Sequence, residues 1–150
     1  MRTIKFRAKT HNGTWMYGIP IRDWEDKWYI IEYIDSELYV EDNDQQDCMG
    51  EMRRFGCKLT TDGDFYMEEV RPETIGQFIG VYDNKGKEIY EGDIVETLPY
   101  KDRLEVIYNP NDAEYLAVCD KGKLSFSNSY ITLQVIGNIH DNRELLRNSK

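Results

Sequence analysis

Polar and apolar positions alternate with a period of two along most of this chain. Near the start, Ile4, Phe6 and Ala8 fall on one side of an extended segment, and Lys5, Arg7 and Lys9 fall on the other. This spacing predicts a strand with one wet face. The basic side is expected to be solvated, with lysine guarding the strand edge. The sharper alternative is a short cationic ridge. His11-Asn12-Gly13 predicts a turn, and residues 14–21 return as a hairpin partner with Trp15 and Tyr17 on one side. From Trp28 onward, Trp28, Ile30 and Glu32 alternate against Tyr29, Ile31 and Tyr33. Both sides are largely apolar, so this strand is expected to be covered on both. Leu38-Tyr39-Val40 offers a short strand, and residues 57–61 and 65–70 flank a turn at Thr61-Asp62-Gly63-Asp64. Arg71-Pro72 then marks a joint, because proline fixes φ and forces its neighbour into extended geometry. Residues 72–74 also offer the start of a single helical turn.

The densest signal is residues 75–95. Phe78, Ile79, Val81 and Tyr82 are strand formers. Asp83-Asn84-Lys85-Gly86 breaks the run, since Asp and Asn bond their own backbone and Gly accepts positive φ. Lys87 to Tyr90 returns as the partner strand, Glu91-Gly92-Asp93 turns again, and Ile94-Val95 opens a third strand. Two turns this close bend a chain as small Greek-key or SH3-like barrels require. The plainer reading is an ordinary meander whose turns only turn. Beyond it, Leu104, Val106 and Tyr108 share one face, Asn109-Pro110-Asn111-Asp112 turns, residues 114–119 and 124–126 are strands about a turn at 120–123, and residues 130–136 close the sheet. Asp141-Asn142 can cap a short helix at residues 143–147, with Leu145 and Leu146 packing inward.

The composition suits a globular domain that needs no disulfides at 150 residues, with 40% hydrophobic and 31% charged positions. Aromatic residues make up 13%, with 11 tyrosines, which leans toward β structure. A net charge of −9 disfavours broad nucleic-acid affinity, which is driven by Lys and Arg releasing counterions. It suits basic partners. Asp35, Glu37, Glu41, Asp42, Asp44, Asp47 and Glu51 form an acidic block without Lys or Arg. Its spacing fails as a calcium loop, because Asp47 falls where Gly is needed and Arg53 where Glu is needed. Three cysteines, Cys48, Cys57 and Cys119, leave one unpaired in any scheme and fit reduced thiols in cytosol. No apolar run reaches the roughly 20 residues of a membrane span, and the first residues lack the apolar core of a signal peptide. A soluble cytoplasmic protein is expected.

Several stretches together resemble the YopX family. They are Ile4-Lys5-Phe6-Arg7-Ala8, then Trp15-Met16-Tyr17, Gly76-Gln77-Phe78-Ile79-Gly80, Asp83-Asn84-Lys85-Gly86, and Ile89 through Val95. Val135-Ile136-Gly137-Asn138-Ile139 and Glu144-Leu145-Leu146 complete the set, in the family's order. The resemblance implies a small phage or prophage protein, mostly β, with a barrel-like C-terminal part and no agreed activity or catalytic residues. Residues 23–69 match less well, and this variable insert would hold what is particular to this chain. The expected fold is therefore mainly β. Residues 1–70 would form an N-terminal β-hairpin region with an acidic insert, and residues 71–150 a small SH3-like or Greek-key β-barrel with a short C-terminal helix.

Four functions follow as expectations. The first is a non-catalytic module that binds a protein partner, using tyrosine, which gives contact area with few rotamers to freeze. Tyr29, Tyr33 and Tyr66 are the tyrosines expected to be partly exposed. The second is a nucleic-acid-binding barrel, with Tyr82, Lys85, Lys87 and Tyr90 of the central hairpin as the patch. The third, an enzyme, finds no carboxylate pair, triad or metal cluster at a telling spacing. Ser125, Ser127 and Ser129 have no base placed beside them, and His11 and His140 stand alone. No cofactor or metal is implied. The fourth is self-association through edge strands into a homo-oligomer.

Overall fold

A computed structural model describes residues 4–33, 65–98, 100–126 and 132–147. The acidic block, Cys48, Cys57, the strands expected at 38–40 and 57–61, the turn at 61–64, Ser127, Ser129 and the side chains of Tyr33 and Tyr66 lie outside them. Over the described residues the protein is mainly β, with two antiparallel sheets and one short helix. It divides into two compact units, one formed by Lys5–Ile75 and the other by Gly76–Lys150 together with Met1–Ile4.

The first unit holds β1 (Phe6–Thr10), β2 (Trp15–Arg22), β3 (Trp28–Tyr33) and the first part of β4 (Phe65–Tyr82). The strands run in the order β1-β2-β3-β4, and β4 also pairs β1. The four strands thus close on themselves, which removes the edges a sheet would expose. Ala8, Met16, Ile30 and Val70 fill the inside, with Phe6, Trp28 and Ile75 against them. Register places these residues on one face, because Ala8 lies opposite Met16 and Trp28 opposite Val70.

Three expectations change here. Arg7 is not on a wet face: it is 6% exposed, with its guanidinium 4.8 Å from the Trp15 ring centre. Lys9 lies 5.8 Å from the same ring, while Lys5 is exposed as expected. Tyr29 is buried rather than exposed, and its hydroxyl sits 3.4 Å from an Asp23 oxygen. Burial, then Asp23 and Glu69, push its pKa up to about 12. Finally, residues 72–74 do not begin a helix, since β4 runs unbroken through Arg71-Pro72. Proline's φ suits an extended strand, and only its missing N–H must be accommodated.

The second unit begins in the last part of β4, which folds back on β5 (Glu88–Tyr90). A five-stranded sheet follows. Its strands are β6 (Asp93–Leu98), β7 (Arg103–Asn109), β8 (Glu114–Cys119), β9 (Gly122–Ser125) and β10 (Thr132–Asn138), in the order β10-β6-β7-β8-β9, and α1 (Glu144–Arg147) follows β10 in the chain. Ile79 and Ile89 of the hairpin share one core with Val95, Leu104, Val106, Ala117, Leu133 and Val135 of the sheet. The result is a partly closed, barrel-like sheet. Leu145 and Leu146 are half-buried, and the Leu145 carbonyl accepts a bond from Arg103 at 3.2 Å.

Candidate functional site

The central hairpin is built around Asp83. Its N–H donates to the Lys87 carbonyl at 2.8 Å, and its carbonyl accepts from Gly86 at 3.0 Å. One carboxylate oxygen, Oδ1, accepts the N–H groups of Lys85 at 2.8 Å and Lys87 at 2.9 Å. The other, Oδ2, accepts the N–H of Val135 on β10 at 3.1 Å. Asn84 adds a bond to the Leu133 carbonyl at 2.9 Å. The side chain is therefore a strut between hairpin and sheet, and the residue is 8% exposed. Burial opposes its charge, but the donors from Lys87, Val135 and Lys85 outweigh that and hold the carboxyl below its usual value.

This scaffold separates the four residues singled out by sequence. Tyr82 is 55% exposed, with its ring edge-on to Phe78 at 5.3 Å, and Lys85 and Lys87 are exposed on the turn. Tyr90 is not with them. It is 2% exposed, packs 5.7 Å from the Phe78 ring, and donates its hydroxyl to Glu88 at 2.6 Å. The reason is an irregularity that alternation does not reveal. Between the pairs Phe78–Tyr90 and Tyr82–Glu88 the register of β4 shifts, and Ile89 and Tyr90 are both enclosed.

The turn after β5 makes a cup. Burial of the Glu91 carboxyl raises its pKa, and backbone N–H groups of Tyr108 and Gln77 that bond to it offset part of that rise. The Glu91 N–H donates to the Gln77 carbonyl at 2.9 Å. Gly76 allows this approach, since an added Cβ would collide with the Glu91 carbonyl oxygen. Tyr108 and Tyr115 lie directly opposite each other on β7 and β8, their ring centres 5.3 Å apart and tilted by 59°. With Gln77, Glu91 and Ala113 they line a cavity of about 400 Å³. Leu104, Val106 and Tyr108 do share a face, but it runs from the core to the rim, where Tyr108 is 43% exposed. Sequence reasoning passed over Glu91 as a turn residue. No spacing signals it, because its neighbours come from three separate strands.

In the first unit, β2 carries Tyr17 and Ile19 outward, at 46% and 58% exposure. They lie on the same side as half-buried Trp15 and Ile21. The neighbouring turn exposes Trp24 at 62%. His11 lies 3.3 Å from Glu69, and the N–H of His140 donates to Asn138 in a turn. Cys119 is half-buried, and the Ser125 hydroxyl is 3.2 Å from Glu114. Among the described residues, no helix is long and apolar enough to cross a membrane.

A family model described as YopX protein matches residues 5–147. No curated protein matches the chain. The match takes in every quoted piece of the resemblance from Lys5 onward, the hairpin strut at Asp83 and the turn that carries Glu91 included. The chain belongs to the YopX family.

Proposed function

We propose that this protein is a non-catalytic protein-interaction module encoded by a phage or prophage. The observation that carries the reading is the outward row on β2, where Tyr17 and Ile19 are exposed on a strand whose other face sets Met16 in the core. Large apolar side chains fixed on a rigid strand lose little entropy when covered, which favours contact with another protein. The acidic balance of the chain suits a basic partner. Affinity purification of the tagged chain from host cells, with and without nuclease, tests the reading. A stoichiometric protein that survives nuclease and is lost with Tyr17→Ser plus Ile19→Ser supports it. Loss of every protein with nuclease overturns it.

The second reading is a nucleic-acid-binding barrel, favoured by Tyr82, Lys85 and Lys87 standing exposed on one hairpin. An exposed aromatic beside two lysines can stack a base and hold its phosphate. Such binding would weaken steeply with salt, and Lys85→Glu plus Lys87→Glu would abolish it. Salt-insensitive binding would exclude it.

A further inference from the structure

The Glu91 cup combines three features that belong together chemically. It has a half-buried carboxylate, Glu91, to which the backbone of two different strands hydrogen-bonds. It has two tyrosine rings tilted against each other at its wall. It has about 400 Å³ of space at the end of a barrel-like sheet, a usual place for a ligand mouth. A carboxylate accepts at about four lone-pair positions, so backbone donors and a ligand can share it. A cation arriving there gains the carboxylate's charge and the electron-rich faces of the rings. Guanidinium fits better than ammonium, because it is planar, bonds a carboxylate with two parallel N–H groups and stacks on aromatic rings. The net charge of −9 draws basic partners toward the chain.

We propose that the cup formed by Gln77, Glu91, Tyr108 and Tyr115 binds an arginine side chain of a partner protein. Glu91 receives the guanidinium and the tyrosines hold its plane. This site rests on the protein-interaction reading but not on the β2 row, which would supply a separate contact.

The test uses the full chain, isotope-labelled, and follows amide resonances during titration. The probes are N-acetyl-arginine methylamide and its uncharged counterpart N-acetyl-citrulline methylamide. The arginine compound should shift the Gln77 and Tyr108 amides saturably, and the citrulline compound should not. Glu91→Gln should weaken binding about tenfold or more, the scale of losing a charged partner. Tyr108→Leu keeps the backbone donor to Glu91 and should weaken binding about threefold to tenfold. Should Glu91→Gln unfold the chain, Tyr108→Leu and Tyr115→Leu decide the matter. Equal binding of citrulline, or arginine binding untouched by the cup variants, overturns the proposal. Purification with the Glu91→Gln chain separates the two readings. A partner still recovered in full sinks the cup and leaves the module standing. Arginine binding without any recovered protein sinks the module and leaves a cup for a small free cation.

Discussion

Two turns of this chain share a plan and differ in what they hold. Asp23 to Lys27 joins β2 to β3, and Asp83 to Lys87 joins β4 to β5. In each, the leading Asp N–H bonds the lysine carbonyl, at 3.0 and 2.8 Å. In each, Oδ1 of that Asp takes the N–H groups two and four residues on, at 2.8 and 2.9 Å in both cases. Each turn has a fourth residue of positive φ, Asp26 at 65° and Gly86 at 79°. The difference is Oδ2. In Asp23 it faces the Tyr29 hydroxyl six positions away, at 3.4 Å. In Asp83 it takes the N–H of Val135, a residue 52 positions away in sequence and buried. A local turn has become a tertiary strut, and a single oxygen makes the distinction.

Replacing the two leading aspartates should give the largest contrast. Asp83→Ala leaves three backbone donors short of an acceptor, the Val135 donor among them in the interior. The cost should be about 3 kcal/mol or more, since each buried unsatisfied donor costs about 1–3 kcal/mol. Asp23→Ala frees donors that water can reach, and should cost about 1 kcal/mol. Urea unfolding midpoints of the two variants measure both, and equal losses would break the comparison.

Acid should reach the strut next. The Asp83 carboxyl lies below its ordinary value in the fold, so its contribution is fully present above the unfolded pKa of about 3.9. That contribution fades as pH falls through the lower folded value. Asp83→Asn should therefore have a flatter stability profile below about pH 4 than the parent chain. Thermal melts between neutral and acid pH would show it, and parallel profiles would refute it.

Exchanging the positive-φ residues is a gentler probe. Nothing lies within 4 Å of a Cβ added at Gly86, so Gly86→Asp should cost only about 1 kcal/mol of backbone strain. Asp26→Gly relieves that strain but loses an exposed 2.6 Å pair with Arg22, and should change stability by about 0.5 kcal/mol or less. A large loss at Gly86 would mean that the two turns are not interchangeable in backbone. A similarly small effect belongs to Tyr29→Phe, which removes the long bond to Asp23 and should cost about 0.5 kcal/mol in the urea midpoint.

These turns also show how much of the fold is legible in the sequence. Asp83-Asn84-Lys85-Gly86 was legible as a hairpin closure because its bonds span two to four residues. The strands around it were legible where one face stays wet, as in Leu104 and Val106 of β7. Alternation did not reveal Tyr90, because a register shift in β4 encloses both Ile89 and Tyr90. Nor did it reveal Arg7, which is buried with its guanidinium over a ring across the hairpin.

By itself, the sequence determined what neighbours along the chain can settle: the mainly β character, the turns with their Asp and Gly, and the motifs that place the chain in its family. Only the tertiary structure decided which side chains meet across many residues. It gave Asp83 its second acceptor role, closed four strands into a ring, turned Tyr29 and Tyr90 inward, and brought Glu91 to one cavity with two tyrosines. The physical reason is range. Backbone torsions and Asx bonds act within a few residues, whereas burial and electrostatic environment depend on whatever distant strand the fold brings near.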